Sequence, residues 1–176
     1  MNEIIKKNGI TFGIISGLIS IFTVTLIYVI DIKLFTSWWL GLLGIAVSIT
    51  LACVLLSKTK KELNGNLSFK EAFTTYFIMA LIGILMSTLF SILLFNVIDS
   101  SLQVTVKELT LKATSEMMKK FGADKVAMKE ALKTINETDQ FSVLQQIKGI
   151  FTSLVMSSIF GLILAAFFKT PTRQEI

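Results

Sequence analysis

Four long apolar stretches divide the chain, separated by two short polar connections and one long one. Residues 73–98 form the clearest of them, without a charged side chain, and are preceded by Ser68 and Glu71 at the spacing of a capping box. In that motif the serine hydroxyl accepts from the backbone N–H three residues on, and the glutamate carboxylate accepts from the serine's own N–H. An apolar helix of about 20 residues, rising 1.5 Å per residue, crosses a hydrocarbon layer roughly 30 Å thick. This run is therefore long enough to span. Residues 9–30 and 149–168 are also free of charge, and 34–56 follows the three-residue connection 31–33. The predicted spans are about 9–30, 34–56, 72–98 and 147–168.

The first run is longer than the apolar core of a signal peptide, and no small-residue cleavage site follows Ile30. It is expected to be an uncleaved first span. Trp38 and Trp39 open the second span, where indole rings favour the headgroup level. Lysines near 58–61 and Gly65 close that span, the lysines suiting the helix dipole and the glycine a left-handed cap.

Residues 99–146 form the long polar connection and carry a different period. Leu102, Val106, Leu109, Ala113, Met117 and Phe121 recur every three or four positions, the stripe of an amphipathic helix. Gly122 should stop that helix, and Asp124 can cap a shorter one bearing Met128, Ala131, Leu132 and Ile135. Three roles are open to the stripe: lying on the membrane, closing the open end of the bundle against the second short helix, or receiving a partner. Ser142 and Gln145 form a second candidate capping box ahead of the last span. The expected fold is all-α: one domain over 1–176, a four-transmembrane-helix bundle with two short amphipathic helices in the loop between the third and fourth spans.

Composition agrees with that picture. The 176 residues are 53% hydrophobic and 16% charged, where a soluble domain is nearer a quarter charged. The net charge of +5 does not form a basic stripe with interleaved aromatics, so no nucleic-acid surface is expected. Histidine is absent, which weakens hydrolase, zinc and haem readings together. The single cysteine, Cys53, excludes an internal disulfide. No span carries a charged residue or a helix-breaking proline at mid-depth, so ion-coupled transport has no candidate groups. The acids of the loop alternate with lysines and read as a solvated face, leaving no catalytic, cofactor-binding or metal-ligating residue to nominate.

Small residues repeat at four-residue spacing: Gly9, Gly13 and Gly17; Gly44, Ser48 and Ala52; Gly83, Ser87 and Ser91; Gly149, Ser153, Ser157, Gly161 and Ala165. In lipid, helices associate by close backbone approach, so these ladders are the expected packing faces, within the bundle or between copies. Lys58, Lys60, Lys61 and Lys70, with Lys6 and Lys7 nearby, are a candidate contact for anionic lipid headgroups. With Lys169 and Arg173 they also favour a cytoplasmic N-terminus and C-terminus. Leu102, Val106, Leu109, Met117 and Phe121 are the candidate partner stripe.

Several segments then resemble a known family: KKNGITFGIISG at the start, LFTSWWLG, SKTKKELNGNLSFKEAFTTYFI, EMMKKFGA and IFGLILA in the last span. They are similar to the bacterial membrane proteins grouped as domain of unknown function 4199, widespread in Bacteroidetes, over nearly the whole chain. The most specific part is the Asn64-Gly65 turn leading into Ser68 and Glu71. The resemblance implies a four-helix protein of the bacterial inner membrane and supplies no activity, cofactor or site residue. The function expected from these features is a non-catalytic scaffold or regulatory subunit contacting another membrane component, or itself. The alternative is a channel or carrier for an uncharged or lipid-like solute that uses the serine-bearing faces. A substrate-sized polar cavity between the spans would favour the carrier, and dry, closely packed spans the scaffold.

Overall fold

A computed structural model describes residues 2–171; Arg173, counted above for orientation, lies outside the described residues. The structure is all-helical among the described residues: α1 (Glu3–Ile30), α2 (Trp38–Glu62), α3 (Phe69–Leu93), α4 (Ser101–Lys120), α5 (Lys125–Glu137) and α6 (Val143–Phe168). A 3-10 turn (Ile32–Thr36) precedes α2, and a π-turn (Leu94–Ile98) extends α3. Four helices, α1, α2, α3 with its π-turn, and α6, are long and apolar enough to cross a membrane. The helices α4 and α5 lie between the third and fourth of these.

Each boundary has a local cause. The Asn2 side chain caps α1, so the helix begins six residues before the uncharged run 9–30 does and carries nearly two turns outside it. Both halves of the capping box form at α3: Ser68 Oγ accepts from the Glu71 N–H at 3.3 Å, and Glu71 Oε2 accepts from the Ser68 N–H at 2.9 Å. Gly65 at φ +84° donates its N–H to Lys60 O at 2.8 Å, closing α2 in the left-handed geometry that glycine adopts without steric cost. At Ser142 only half a box forms, with the hydroxyl accepting from the Gln145 N–H.

Helix α3 is the axis of the bundle, with α1 on one side and α6 on another. The glycine ladder of α1 faces α3 at a constant offset. A β-carbon on Gly9 would lie 2.8 Å from Ile78 Cβ, one on Gly13 2.7 Å from Ile82 Cβ, and one on Gly17 2.8 Å from Met86 Cβ. Both positions rise together, so α1 and α3 run parallel, as first and third spans must. Tyr76 with Ser157, and Leu67 with Thr170, pair in the opposite sense and make α6 antiparallel to α3. On α6, Gly161 lets the Tyr76 ring approach.

Packed cores sit at the two ends of the bundle. At the end joining the start of α1, the α2–α3 turn and the end of α6, one cluster holds Phe12, Ala52, Leu55 and Met79, and another Leu56, Leu67, Ala72 and Ala165. Asn8 is buried there and donates from Nδ2 to Glu62 Oε2 at 2.7 Å and to Thr59 Oγ1 at 3.2 Å. Thr59 in turn donates to Leu55 O. The backbones of Leu67 and Thr170 clasp the last residues of α6 to the head of α3. At the opposite end, Leu94, Phe95, Leu102 and Val106 form a third core beneath α4, with Phe141 stacked on Phe95 at a centroid distance of 4.4 Å. Helix α5 folds back on α4, with Met128, Ala131, Leu132 and Ile135 half-buried between them.

Candidate functional site

Between the end cores, α2 leaves the bundle. From Ala52 to Thr59 it is packed against its neighbours, but from Trp38 to Thr50 its residues are exposed or at most half-buried. The divergence opens a cavity of about 460 Å³ bounded by α1, α2, α3 and α6. That volume is within the range of small-molecule sites.

Its walls carry an unusual density of hydroxyls for apolar helices: Ser16, Ser20 and Thr23 from α1, Ser48 from α2, Tyr76, Ser87 and Thr88 from α3, and Ser153 and Ser157 from α6. Ser16, Ser20, Ser48, Ser87 and Ser157 each lie roughly 10 Å or more along the helix from the ends of their uncharged runs. They are thus at the depth where water is scarcest. Some of the hydroxyls satisfy one another. Ser20 and Ser87 share a hydrogen bond of 2.8 Å, Tyr76 and Ser157 one of 2.9 Å, and Thr23 donates to Ile19 O. Ser16, Ser48, Thr88 and Ser153 make no side-chain hydrogen bond among the described residues. Ser16 and Thr88 are half-buried and Ser48 and Ser153 exposed, so these four hydroxyls are open to whatever occupies the cavity, while no buried side-chain polar atom among the described residues lacks a hydrogen bond.

A second cavity, of about 350 Å³, lies between α2 and α6. The two share Gly44, Ser48, Tyr76 and Ser157. No charged side chain lines either cavity. Among the described residues, no group of three histidine, cysteine, aspartate or glutamate side chains is placed to hold a metal ion.

The expected packing residues divide into two sets. Gly9, Gly13, Gly17, Gly83 and Gly161 are at helix contacts, with Gly83 facing Ser16. Gly44 is not: a β-carbon there would meet nothing within 4 Å. It and Ser48, Ser87, Ser153 and Ser157 line the cavity walls, Ser87 and Ser157 through the paired hydroxyls above. Four-residue spacing marks where close approach is possible, but α2 uses only the Ala52 end of its ladder.

The four lysines of the α2–α3 turn are not equivalent. Lys60 Nζ donates to Phe168 O at 3.0 Å, satisfying a carbonyl at the end of α6 where the dipole favours a cation. Lys58 lies 3.9 Å from Glu62 and 5.8 Å from the Phe12 ring centre. Lys61 and Lys70 are exposed. The stripe on α4 is also divided. Leu102 and Val106 are buried in the third core, Leu109 is half-buried, and Met117 and Phe121 are exposed, Phe121 at 84%. Its first half closes the bundle, leaving only the tip for another molecule.

Four membrane-length helices around an uncharged, hydroxyl-lined cavity define a multi-pass α-helical membrane protein. Residues 11–170 match the model of the family described as a protein of unknown function, DUF4199, and the chain belongs to that family. No curated protein and no solved structure matches it.

Proposed function

We propose that this membrane protein binds an uncharged or lipid-like solute between its spans, as a carrier or receptor for it rather than as an enzyme. The observation that carries the reading is the set of hydroxyls without a partner in the chain, on Ser16, Ser48, Thr88 and Ser153, in the wall of a cavity of ligand size bounded by all four spans. Dry, closely packed spans were the signature of a scaffold, and the divergence of α2 departs from it. The absence of charge in the wall favours a neutral guest, because an ion at that depth would have no counter-ion. The bacterial inner membrane is the proposed location. Lys6, Lys7, Lys58, Lys61 and Lys70 gather at one end of the bundle, which favours the cytoplasmic side for both termini and contact with anionic headgroups.

The test is solvent extraction of the purified protein, compared between the natural chain and a Ser48→Leu, Ser153→Leu double variant. A compound present at near-equal molar amount with the natural chain, and lost from a variant that stays helical and monodisperse, supports the reading. The same extract from both refutes it.

A second reading, the scaffold or regulatory subunit, is favoured by the tip of the α4–α5 hairpin. Met117, Phe121 and Val126 are exposed there at 52%, 84% and 63%. Capture of a stoichiometric membrane partner that is abolished by Met117→Lys and Phe121→Lys would support it; capture unaffected by these changes would remove the tip as its basis.

A further inference from the structure

The two cavities differ in chemistry, and the difference specifies the guest. The first carries the unpartnered hydroxyls. The second is walled by Ile45, Ile49, Met156, Phe160 and Leu164, its only hydroxyls being those of the shared Ser48, Tyr76 and Ser157. Gly41 and Gly44 line this second cavity, Gly44 lining the first as well, and a β-carbon on either would meet nothing within 4 Å. The glycines therefore leave a window between α2 and α6 at bilayer depth.

From this we infer that the site takes a single-chain lipid alcohol, whose hydroxyl head sits among Ser16, Ser48 and Ser153 and whose alkyl chain passes Gly44 into the second cavity and so to the bilayer. The inference rests on the solute-binding reading above and deepens it. Three features select this class. Serine and threonine hydroxyls both donate and accept, so a head that does both can satisfy them, whereas an ether or ester oxygen only accepts. No charged group in either wall offsets a carboxylate, phosphate or ammonium head. The window leads from a polar cavity to an apolar one, which suits a molecule with one polar end and one alkyl tail.

The experiment uses the full chain in lipid nanodiscs with a long-chain primary alcohol that carries a photoactivatable diazirine in mid-chain. Labelled peptides are mapped, and competition is measured with the unlabelled alcohol, its methyl ether and the matching fatty acid. Labelling should be saturable and concentrated on 45–49 and 156–164, with the alcohol competing at least about tenfold better than the ether or the acid. Gly44→Leu, which adds a bulky side chain at a position where a β-carbon meets nothing within 4 Å, should reduce labelling by about tenfold. Gly149→Leu, at another position open on all sides, should leave it unchanged. Saturable labelling at other positions, equal competition by the acid, or indifference to Gly44→Leu would overturn the inference while leaving a bound solute of another class. The absence of any saturable labelling, together with no compound recovered by extraction, would overturn both.

Discussion

Replacing Gly13 by alanine adds one methyl group where the parallel helices α1 and α3 touch. The new carbon would lie 2.7 Å from Ile82 Cβ and 3.0 Å from the carbonyl oxygen of Met79. Neither is the free end of a flexible side chain, so the helices must separate or shift. Overpacking of this kind costs about 1–3 kcal/mol. Alanine recovers about 1 kcal/mol through its better helix propensity, so the net loss should be about 0–2 kcal/mol. Gly44→Ala gains the same propensity and meets nothing within 4 Å. The difference between the two variants therefore isolates the contact, and it should be about 1–3 kcal/mol. Equilibrium unfolding in mixed micelles by titration with a denaturing detergent, followed by tryptophan fluorescence, measures both. Equal stability of Gly13→Ala and Gly44→Ala would refute the assignment of the α1 ladder to the α3 interface.

Ser68→Ala removes the cap of α3 and should cost about 1 kcal/mol in the same titration; an unchanged midpoint would mean that the capping box contributes nothing in the bilayer setting. Thr170→Val removes the hydroxyl that accepts from the Leu67 N–H and donates to Gly65 O, and should speed trimming of the C-terminus by carboxypeptidase; equal rates would argue that the clasp is held by the backbone bond from Thr170 to Leu67 alone. A hydrogen bond from the Ser101 hydroxyl, with others from the Ser101 N–H, Tyr28 and the Leu102 N–H, holds the Asp99 carboxyl below its ordinary range despite partial desolvation. Because the folded value is depressed, its contribution is fully present above the usual carboxylate range, near pH 4, and is lost as pH falls through the folded value. After correction for the intrinsic pH dependence of amide exchange, protection at the start of α4 should fall below about pH 4 in the natural chain, and Asp99→Asn should remove that dependence.

The spans were legible because their signal is long and redundant. Uncharged runs, a capping box at Ser68 and a left-handed residue at Gly65 each state a boundary independently. Where the chain departs from the expected bounds, the reason is that hydropathy reports lipid and hydrogen bonding reports helix. Helix α1 begins at Glu3 because Asn2 caps it, and α2 begins at Trp38 because 32–36 winds as a 3-10 turn under the Asp31 side chain. The π-turn at 94–98 left no mark in the sequence. Its extra residue lets Asn96 Nδ2 donate to Phe141 O at 3.1 Å, a contact that depends on a residue 45 positions away.

The cavity was only half legible. Its serines were visible as small residues, but spacing alone could not say which would pack and which would face a gap. That outcome depends on α2 being anchored near one end by Ala52, Leu55, Leu56 and Thr59 and diverging toward the other. Likewise the α4 stripe, continuous in sequence, is divided because Leu102 and Val106 are needed to cover Leu94 and Phe95, while Phe121 lies past the end of the bundle they cover.

The most direct measurement is native mass spectrometry of the full chain released from its own membranes in mild detergent. A monomer or dimer that keeps one neutral, lipid-sized molecule per chain, and loses it on Ser48→Leu with Ser153→Leu, is the predicted result. A bare chain in a stoichiometric complex with another membrane protein would contradict solute binding and move the function to the exposed tip around Phe121.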